Sequence, residues 1–537
     1  MRFEALPRAA AVGVAAASVA FAGMAPGTAA APAPAGLAGG GGPAVLGQVA
    51  RAMGGAADVR GLESLRYRAR GQRWIFDEGV RPGNGIERSA TFRTRVRYQL
   101  GTQRRPERLR ADSVRNSLGV DRPVREVFSG RRGYIRGVDA NGSTPALKAM
   151  TSDRWAAIRM QQLLLNPHMI VRKALRNPRL ARAGGIRRLD GRRYRVLTVR
   201  HPVAPMRLFL DARTGRLARL RTLQHDYFRR DVVVEARYRR WAPGGAGLSF
   251  PRRVVLRSDG LLVQRETRTA VQANPRLRAA IFRFPGNLGP APFQPRLARI
   301  GARTSEWVMG FAYLGFIKDG GQTAINPTVI SPGVILLGGV ANNSLVVRRS
   351  NGVVVFEGAL HDMRAEAVIA FVRRRFPGQR ITHVVTTHFH SDHAGGMRPY
   401  VAIGARVVVD RPAVPFFRRV FRQRNSTLLP DRLDRRPATP ARITAVPAAG
   451  LFLDDALERI EVYRFNTTHS VDMTVLFAAD TGVLFTSDIY TPGAPPGPEG
   501  QRLNNLIENQ SLNVEWIAGG HGAFITYDQF LADLGAQ

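Results

Sequence analysis

Cysteine is absent from the 537 residues. No disulfide can form, so stability must come from packed apolar cores, and a chain of this length has room for two or more. The same absence removes thiolate metal ligands and any bacterial lipid-anchor site. Acidic side chains are scarce, 40 Asp and Glu against 80 Lys and Arg, leaving a formal net charge of +40. Histidine is scarcer still, at ten. The Ala/Val/Phe-rich run from Ala9 to Met24 is short for a membrane-spanning helix, which needs about 20 residues. Preceded by the basic start Met1 to Arg8 and followed by the small-residue zone Gly27 to Ala35, it reads as a secretory signal peptide over residues 1–33. No twin-arginine pair precedes it. The Arg/Ala/Gly/Pro bias suggests a GC-rich bacterial genome, so the mature protein is expected in a periplasm or outside the cell.

The positive charge is concentrated in the first 300 residues. From Gly301 onward there are 23 Lys and Arg against 21 Asp and Glu, so nearly all the excess lies upstream. A boundary is expected near the Pro/Gly-rich Phe284 to Pro292. It divides an Arg-rich, mainly β domain over 34–284 from a linker over 285–320 and an α/β domain over 321–537. In the basic half, Leu65 to Arg70 and Phe92 to Leu100 alternate apolar and polar positions, as strands with one buried face do. Leu208 to Asp211 and Leu217 to Leu220, joined through Thr214-Gly215, read as a hairpin. Asp231 to Trp241 and Arg252 to Leu256 add strands, while Asp153 to Arg176 reads as helical. The expectation is a large antiparallel sheet with a helical insertion. No nucleic-acid reader motif is present. The Arg positions are either a solvated face enriched by genome composition or a surface for anionic lipid headgroups, each basic contact contributing about 1 kcal/mol there.

The acidic and imidazole groups that remain are grouped. Four metal-capable side chains, His388, His390, Asp392 and His393, fall within six residues of Thr387-His388-Phe389-His390-Ser391-Asp392-His393-Ala394-Gly395-Gly396. They follow the apolar stretch Thr382 to Thr386, which predicts a strand. Imidazole nitrogen and carboxylate oxygen are common zinc donors, and this cluster offers ligands for two ions. Further candidates sit at predicted strand ends or in Gly-rich turns: His469 before Thr474 to Ala478, Asp488 after Val483 to Ser487, and His521 after Val514 to Ala518. Loops held by a rigid sheet commonly carry chemistry. His383 is expected to pack within its strand, and His168, His201, His225 and His361 have no partner pattern.

From about Gly333 onward the chain resembles the metallo-β-lactamase superfamily. The family pattern His-x-His-x-Asp-His falls on His388, His390, Asp392 and His393, with the later ligands at His469, Asp488 and His521. The hairpins expected to open that fold are Gly338 to Val347 and Gly352 to Glu357. The resemblance implies an αββα sandwich with two zinc ions, iron or manganese being alternatives. His388, His390 and His469 would hold one ion, Asp392, His393 and His521 the other, and Asp488 would bridge them. His361 stands near where many members carry an acidic residue and is read as peripheral to the metals. The basic half resembles, more weakly, the curved sheets of periplasmic lipoprotein-carrier domains, which implies a concave apolar surface for a greasy ligand.

The activity so implied is hydrolysis of a small-molecule ester, thioester, lactone, amide or phosphoester by metal-bound hydroxide, with Asp392 and Asp488 orienting it and passing on its proton. The absence of cysteine removes the lactamase subclasses with a Cys ligand. β-Lactamase-like and persulfide dioxygenase activities remain alternatives, as does a cell-envelope ligand- or lipid-binding protein with a non-catalytic metal domain. Between Arg411 and Gly450 lies a segment the metal ligands do not require. Its Phe416, Phe417, Val420 and Phe421 recur near helical spacing, so it is expected either to cap the substrate cleft or to pack on the sheet.

Overall fold

In the strand Ser64–Phe76 every second side chain is buried through Leu65, Tyr67 and Ala69, with the intervening arginines exposed. That alternation repeats along the N-terminal half and sums to a sheet of thirteen antiparallel strands. The computed structural model describes residues 41–83, 86–102, 104–117, 119–137, 146–314, 323–423 and 425–535. The expected signal peptide lies outside them. Contacts group Gly40 to Gln537 into a single unit.

Sheet order explains the helical insertion. The chain runs outward from Ser64–Phe76 to an edge at Ala146–Ala149, then resumes at the opposite edge with Ala181–Leu189. The helices Ser152–Leu165 and His168–Arg176 join these edges, broken at Asn166-Pro167 where proline interrupts the hydrogen-bond ladder. The strands then return inward until the last, Leu261–Ala273, pairs with the first. The apolar sheet face packs against Val45, Leu46 and Val49 of the helix Gly42–Arg51 and against Ile158, Leu164, Ile170 and Val171 of the joining helices. The concave surface expected to be open to a greasy ligand is therefore filled by the chain's own helices. The opposite face carries the arginines, with Arg68, Arg70, Arg93, Arg95, Arg97 and Arg125 lining a groove of about 750 Å³.

The stretch 285–320, expected as a linker, contains the helices Pro295–Arg303 and Ser305–Leu314. Ile300 is buried, and Val308 and Met309 join the N-terminal core. A segment with that much apolar surface gains more by packing than by spanning a gap.

The C-terminal half is two sheets face to face, seven strands from Asn326–Val329 to Ile443–Val446 and six from Leu451–Leu453 to Phe524–Thr526. Both faces are buried, so strands such as Gly352–Phe356 are continuous apolar runs. Val354 and Phe356 point between the sheets, towards Ile460, Leu476 and Phe485. Val353 and Val355 point outward under the helices Asp362–Arg375, Met397–Ala402 and Val414–Arg422. The helices Gly497–Asn509 and Tyr527–Gly535 cover the other sheet. This is the expected αββα arrangement. Parallel pairing of Gly352–Phe356, Ile381–Val385 and Arg406–Asp410, and of Val483–Ser487 with Trp516–Gly519, brings several strand C-termini to one end.

The helix Val414–Arg422 does not cap a cleft. Phe416, Phe417, Val420 and Phe421 are buried in the core beneath it, and Phe416 meets Phe228 of the N-terminal half and Phe389 edge-on. The following loop is a docking surface for that half. Asp231 accepts from Ser426 Oγ at 2.7 Å and from Thr427 N at 2.6 Å. Arg230, 3% exposed at its side chain, pairs with Asp434 and lies 3.3 Å from Asp431 and 3.6 Å from Asp362.

Candidate metal centre

Four of the five parts of the site begin directly where a strand ends, and the fifth, His469, lies in the loop between Ile460–Arg464 and Thr474–Ala478. Glu357 follows Phe356, the 386–393 loop follows Val385, Asp488 follows Ser487, and His521 lies two residues past Gly519. Chemistry at the carboxyl ends of parallel strands is the general pattern of open α/β sheets. Asp392 and His393 sit on a short helix, Ser391–Ala394. Gly395 and Gly396 let the chain pass close to the preceding loop, since a Cβ on Gly395 would stand 2.2 Å from Leu360 O.

The structure brings all seven predicted residues together. His388, His390 and His469 form one group, and Asp392, His393 and His521 a second. Asp488 faces both: Oδ2 lies 3.2 Å from His469 Nε2, while Oδ1 lies 3.1 Å from His393 Nε2 and 3.3 Å from His521 Nε2. His388 and His469 approach at 3.2 Å between Nε2 atoms, and Asp392 Oδ2 lies 3.4 Å from His393 and 3.6 Å from His521. Donors sharing an ion at about 2.0–2.2 Å cannot stand more than about 4.4 Å apart, and every one of these pairs satisfies that bound. His393 Nε2 and Asp488 Oδ1 are buried without a hydrogen-bond partner despite their closeness. Buried polar atoms are rarely left so, and here both point where an ion would sit. The donor set fits divalent metal ions.

Ring orientation is fixed from behind. His390 Nε2 donates to Gly79 O at 2.9 Å, His521 Nδ1 to Ala341 O at 2.8 Å, and His393 Nδ1 to Glu357 Oε2 at 3.1 Å. His388 Nδ1 lies 3.1 Å from the Thr387 hydroxyl. Each ring thus spends one nitrogen outward and presents the other to the centre. Burial and the neighbouring imidazoles hold His388 well below the usual histidine range, and burial with His469 pushes His390 down to about 3. Both keep a lone pair free for ligation. Burial opposes charge on His393 and His521 too, but Asp488 and Asp392 outweigh it, raising His393 well above its usual range and His521 to about 9. The site's carboxylates call for positive charge, which divalent ions also meet. His469, 43% exposed at its side chain, marks the side open to solvent.

Sequence reasoning overlooked three residues. Glu357, fully buried, is the acidic group after the early strand; it also accepts from the Thr387 hydroxyl and from Ser487 Oγ at 3.3 Å. Its φ is +72° and that of Ser487 is +52°, strained values for non-glycine residues that the surrounding contacts hold in place. An acid directly after the apolar run Gly352 to Phe356 was the available signal. His361 instead caps the helix Asp362–Arg375 and lies against Tyr227 and Trp307, away from the donors. Asn342 Nδ2 lies 3.3 Å from Asp392 Oδ2, and the neighbouring Asn343 pins the His521 turn through Gly519 O and Gly522 O. The third is Glu78, grouped with His390 and Asp392. His383 stays in its strand beside Thr382, and His168 and His225 pack in the N-terminal half.

Residues 337–521 match the model of a family described as the metallo-beta-lactamase superfamily. Among solved structures, a metallo-beta-lactamase from Pontibacter korlensis is 17% identical, with 40% of this chain and 98% of that one covered and a TM-score of 0.31. The DIM-1 metallo-beta-lactamase is 15% identical over 39% of this chain and 95% of its own, with a TM-score of 0.30. No curated protein matches the sequence.

Proposed function

We propose that the C-terminal half of this chain, in which residues 337–521 match the metallo-β-lactamase superfamily model, makes the protein a binuclear zinc hydrolase. The observation that carries this reading is Asp488, whose two oxygens face the two donor groups at 3.1 to 3.3 Å. An ion in such a site lowers the pKa of bound water to about 7 and polarises a carbonyl or phosphoryl oxygen. His388, His390 and His469 would hold one ion, Asp392, His393 and His521 the other. Asp392 and Asp488, each beside the imidazoles of His393 and His521, are placed to orient the attacking water and accept its proton. Glu357 keeps His393 in the tautomer that presents Nε2. Asn342 Nδ2 steadies Asp392 through Oδ2, the oxygen that also faces His393 and His521.

The substrate class is an ester, thioester, lactone, amide or phosphoester small enough to enter beside His469. Metal analysis with a panel of esters, lactones, β-lactams and phosphodiesters, run with and without chelator, tests it. Chelation should abolish turnover, and His388→Ala should lose both metal and activity while remaining folded. Full metal content and turnover in folded His388→Ala would sink the mechanism. Turnover of none of the panel despite bound metal would instead favour a binding protein.

We further infer an exported protein whose arginine groove meets anionic headgroups. The support is the pattern of residues 1–33 and the convergence of Arg68, Arg70, Arg93, Arg95, Arg97 and Arg125 on one face. Vesicles of anionic and of zwitterionic lipid, compared at low and high salt, test the second point; equal binding to both refutes it.

A further inference from the structure

We propose that Glu78, delivered by the N-terminal domain, is an additional metal-ligating carboxylate of this centre. The inference rests on the binuclear reading above and extends it to a residue some three hundred positions from the ligand motif.

Asp77 to Gly83 are the described part of the connection between the long strands Ser64–Phe76 and Ile86–Gln99. This turn reaches the metal centre and clamps it at three points. Gly79 O accepts from His390 Nε2 at 2.9 Å, Val80 O accepts from Val471 N at 2.9 Å, and Glu78 Oε1 accepts from Ser391 N at 3.1 Å and from the Ser391 hydroxyl. The contacts span both the 388–393 loop and the loop that carries His469. At its base Asp77 pairs with Arg229, whose guanidinium lies 4.0 Å over the Phe76 ring. Gly83, at the far end, leaves room for Arg419: a Cβ there would fall 2.4 Å from that guanidinium.

Two details turn a contact into a ligand assignment. First, the Gly79 carbonyl can only accept, so it takes the Nε2 proton of His390 and leaves Nδ1 as the atom that can bind an ion. Second, the Glu78 carboxylate divides its work. Ser391 holds Oε1, and Oε2 lies 3.9 Å from His390 Nδ1. Glu78, His390 and Asp392 each place a donor within 4.8 Å of the others. The 3.9 Å separation is inside the roughly 4.4 Å that two donors of one ion can span. A carboxylate held on one oxygen and aimed with the other at a ligand nitrogen is pre-positioned for coordination. Adding an oxygen donor raises the charge and coordination number available to the ion at His390, and carboxylate oxygen suits manganese as well as zinc. The N-terminal domain is then part of the active site.

The test is metal binding by the full-length protein: equilibrium dialysis at defined free zinc, and the visible spectrum of the cobalt(II) form, for wild type, Glu78→Gln, Ser391→Ala and His388→Ala. Glu78→Gln should weaken one of the two ions at least tenfold and change the cobalt spectrum, leaving the other ion untouched. Ser391→Ala, which loses only the hydroxyl contact, should keep both ions and the wild-type spectrum. Wild-type affinities and spectrum in Glu78→Gln overturn the proposal while leaving the binuclear reading intact. So does a Ser391→Ala variant that reproduces the Glu78→Gln defect, because the carboxylate would then act only by holding the loop. No zinc on wild type, or unchanged zinc on His388→Ala, overturns both.

Discussion

Replacing Glu357 by glutamine removes one negative charge from the centre and almost nothing of its shape. The carboxylate is completely buried, takes the His393 Nδ1 proton at 3.1 Å, and is reached by the hydroxyls of Thr387 and Ser487. Glutamine keeps an oxygen that can accept from one of these, and its amide can donate to a hydroxyl. What is lost is the charge that makes His393 a stronger donor and selects its tautomer. Losses of this kind cost about 10–100-fold in metal affinity, or roughly 1.4–2.7 kcal/mol. The loss should fall on the ion held with Asp392 and His521, because His393 belongs to that group. Zinc competition titration against a chromophoric chelator reads both affinities, and circular dichroism establishes that the fold persists. Unchanged affinity at both positions would refute the role assigned to Glu357. An equal fall at both would show that the residue acts through the loop as a whole. Glu357→Ala should be worse, since it leaves buried partners unsatisfied at about 1–3 kcal/mol each.

Arg230→Met should destabilise the protein by about 3–5 kcal/mol, because it removes one of the two guanidiniums that face the buried carboxylates of Asp431, Asp434 and Asp362, leaving Arg398 alone against three acids. Burial already pushes Asp362 above the usual carboxylate range, so protonation should relieve part of the cost; urea unfolding should show a larger loss at pH 8 than at pH 6, and a loss independent of pH counts against it. Asp472 is raised to about 7 by burial, despite the Ser470 hydroxyl. The folded state therefore holds a proton the unfolded chain releases near pH 4, and stability should fall as pH rises from about 4 to 7, by at most roughly 4 kcal/mol at 1.36 kcal/mol per unit. In Asp472→Asn that fall should vanish from a Tm–pH curve, whereas parallel curves would reject the assignment. Phe417→Ala should cost about 3–5 kcal/mol through the cavity it leaves, with zinc content of the folded fraction unchanged. A change in substrate preference without loss of stability would restore a lid role to its helix.

The C-terminal half was legible because its strands are buried on both faces. Thr474–Ala478 stands where its apolar run predicts, and the ligands follow such runs directly. The four-ligand cluster also lies within one short stretch of chain, so local spacing was enough to find it. Glu357 escaped because one acid after a strand looks like any turn residue, and only its positive φ and buried contacts set it apart. Glu78 carries no local signal at all, since its neighbours at the site are more than three hundred residues away. The aromatic stripe of Val414–Arg422 was visible as an amphipathic pattern, but periodicity does not say which surface it meets. Here that surface is the core beneath and the Phe228 ring beside it. The helices at 295–314 were hidden by the proline-rich approach to them.

The pairing of Leu65 with Ala273 has a temporal consequence. The opening strand of the N-terminal sheet emerges from the ribosome about two hundred residues before its second neighbour, and closing so long a loop is slow. Until that neighbour arrives, a long ribbon of alternating apolar side chains waits with one edge bare, exposed to pairing with other chains. Under the export proposed above, this delay would be useful, because a sheet that cannot close early leaves the chain extended enough to be threaded across a membrane.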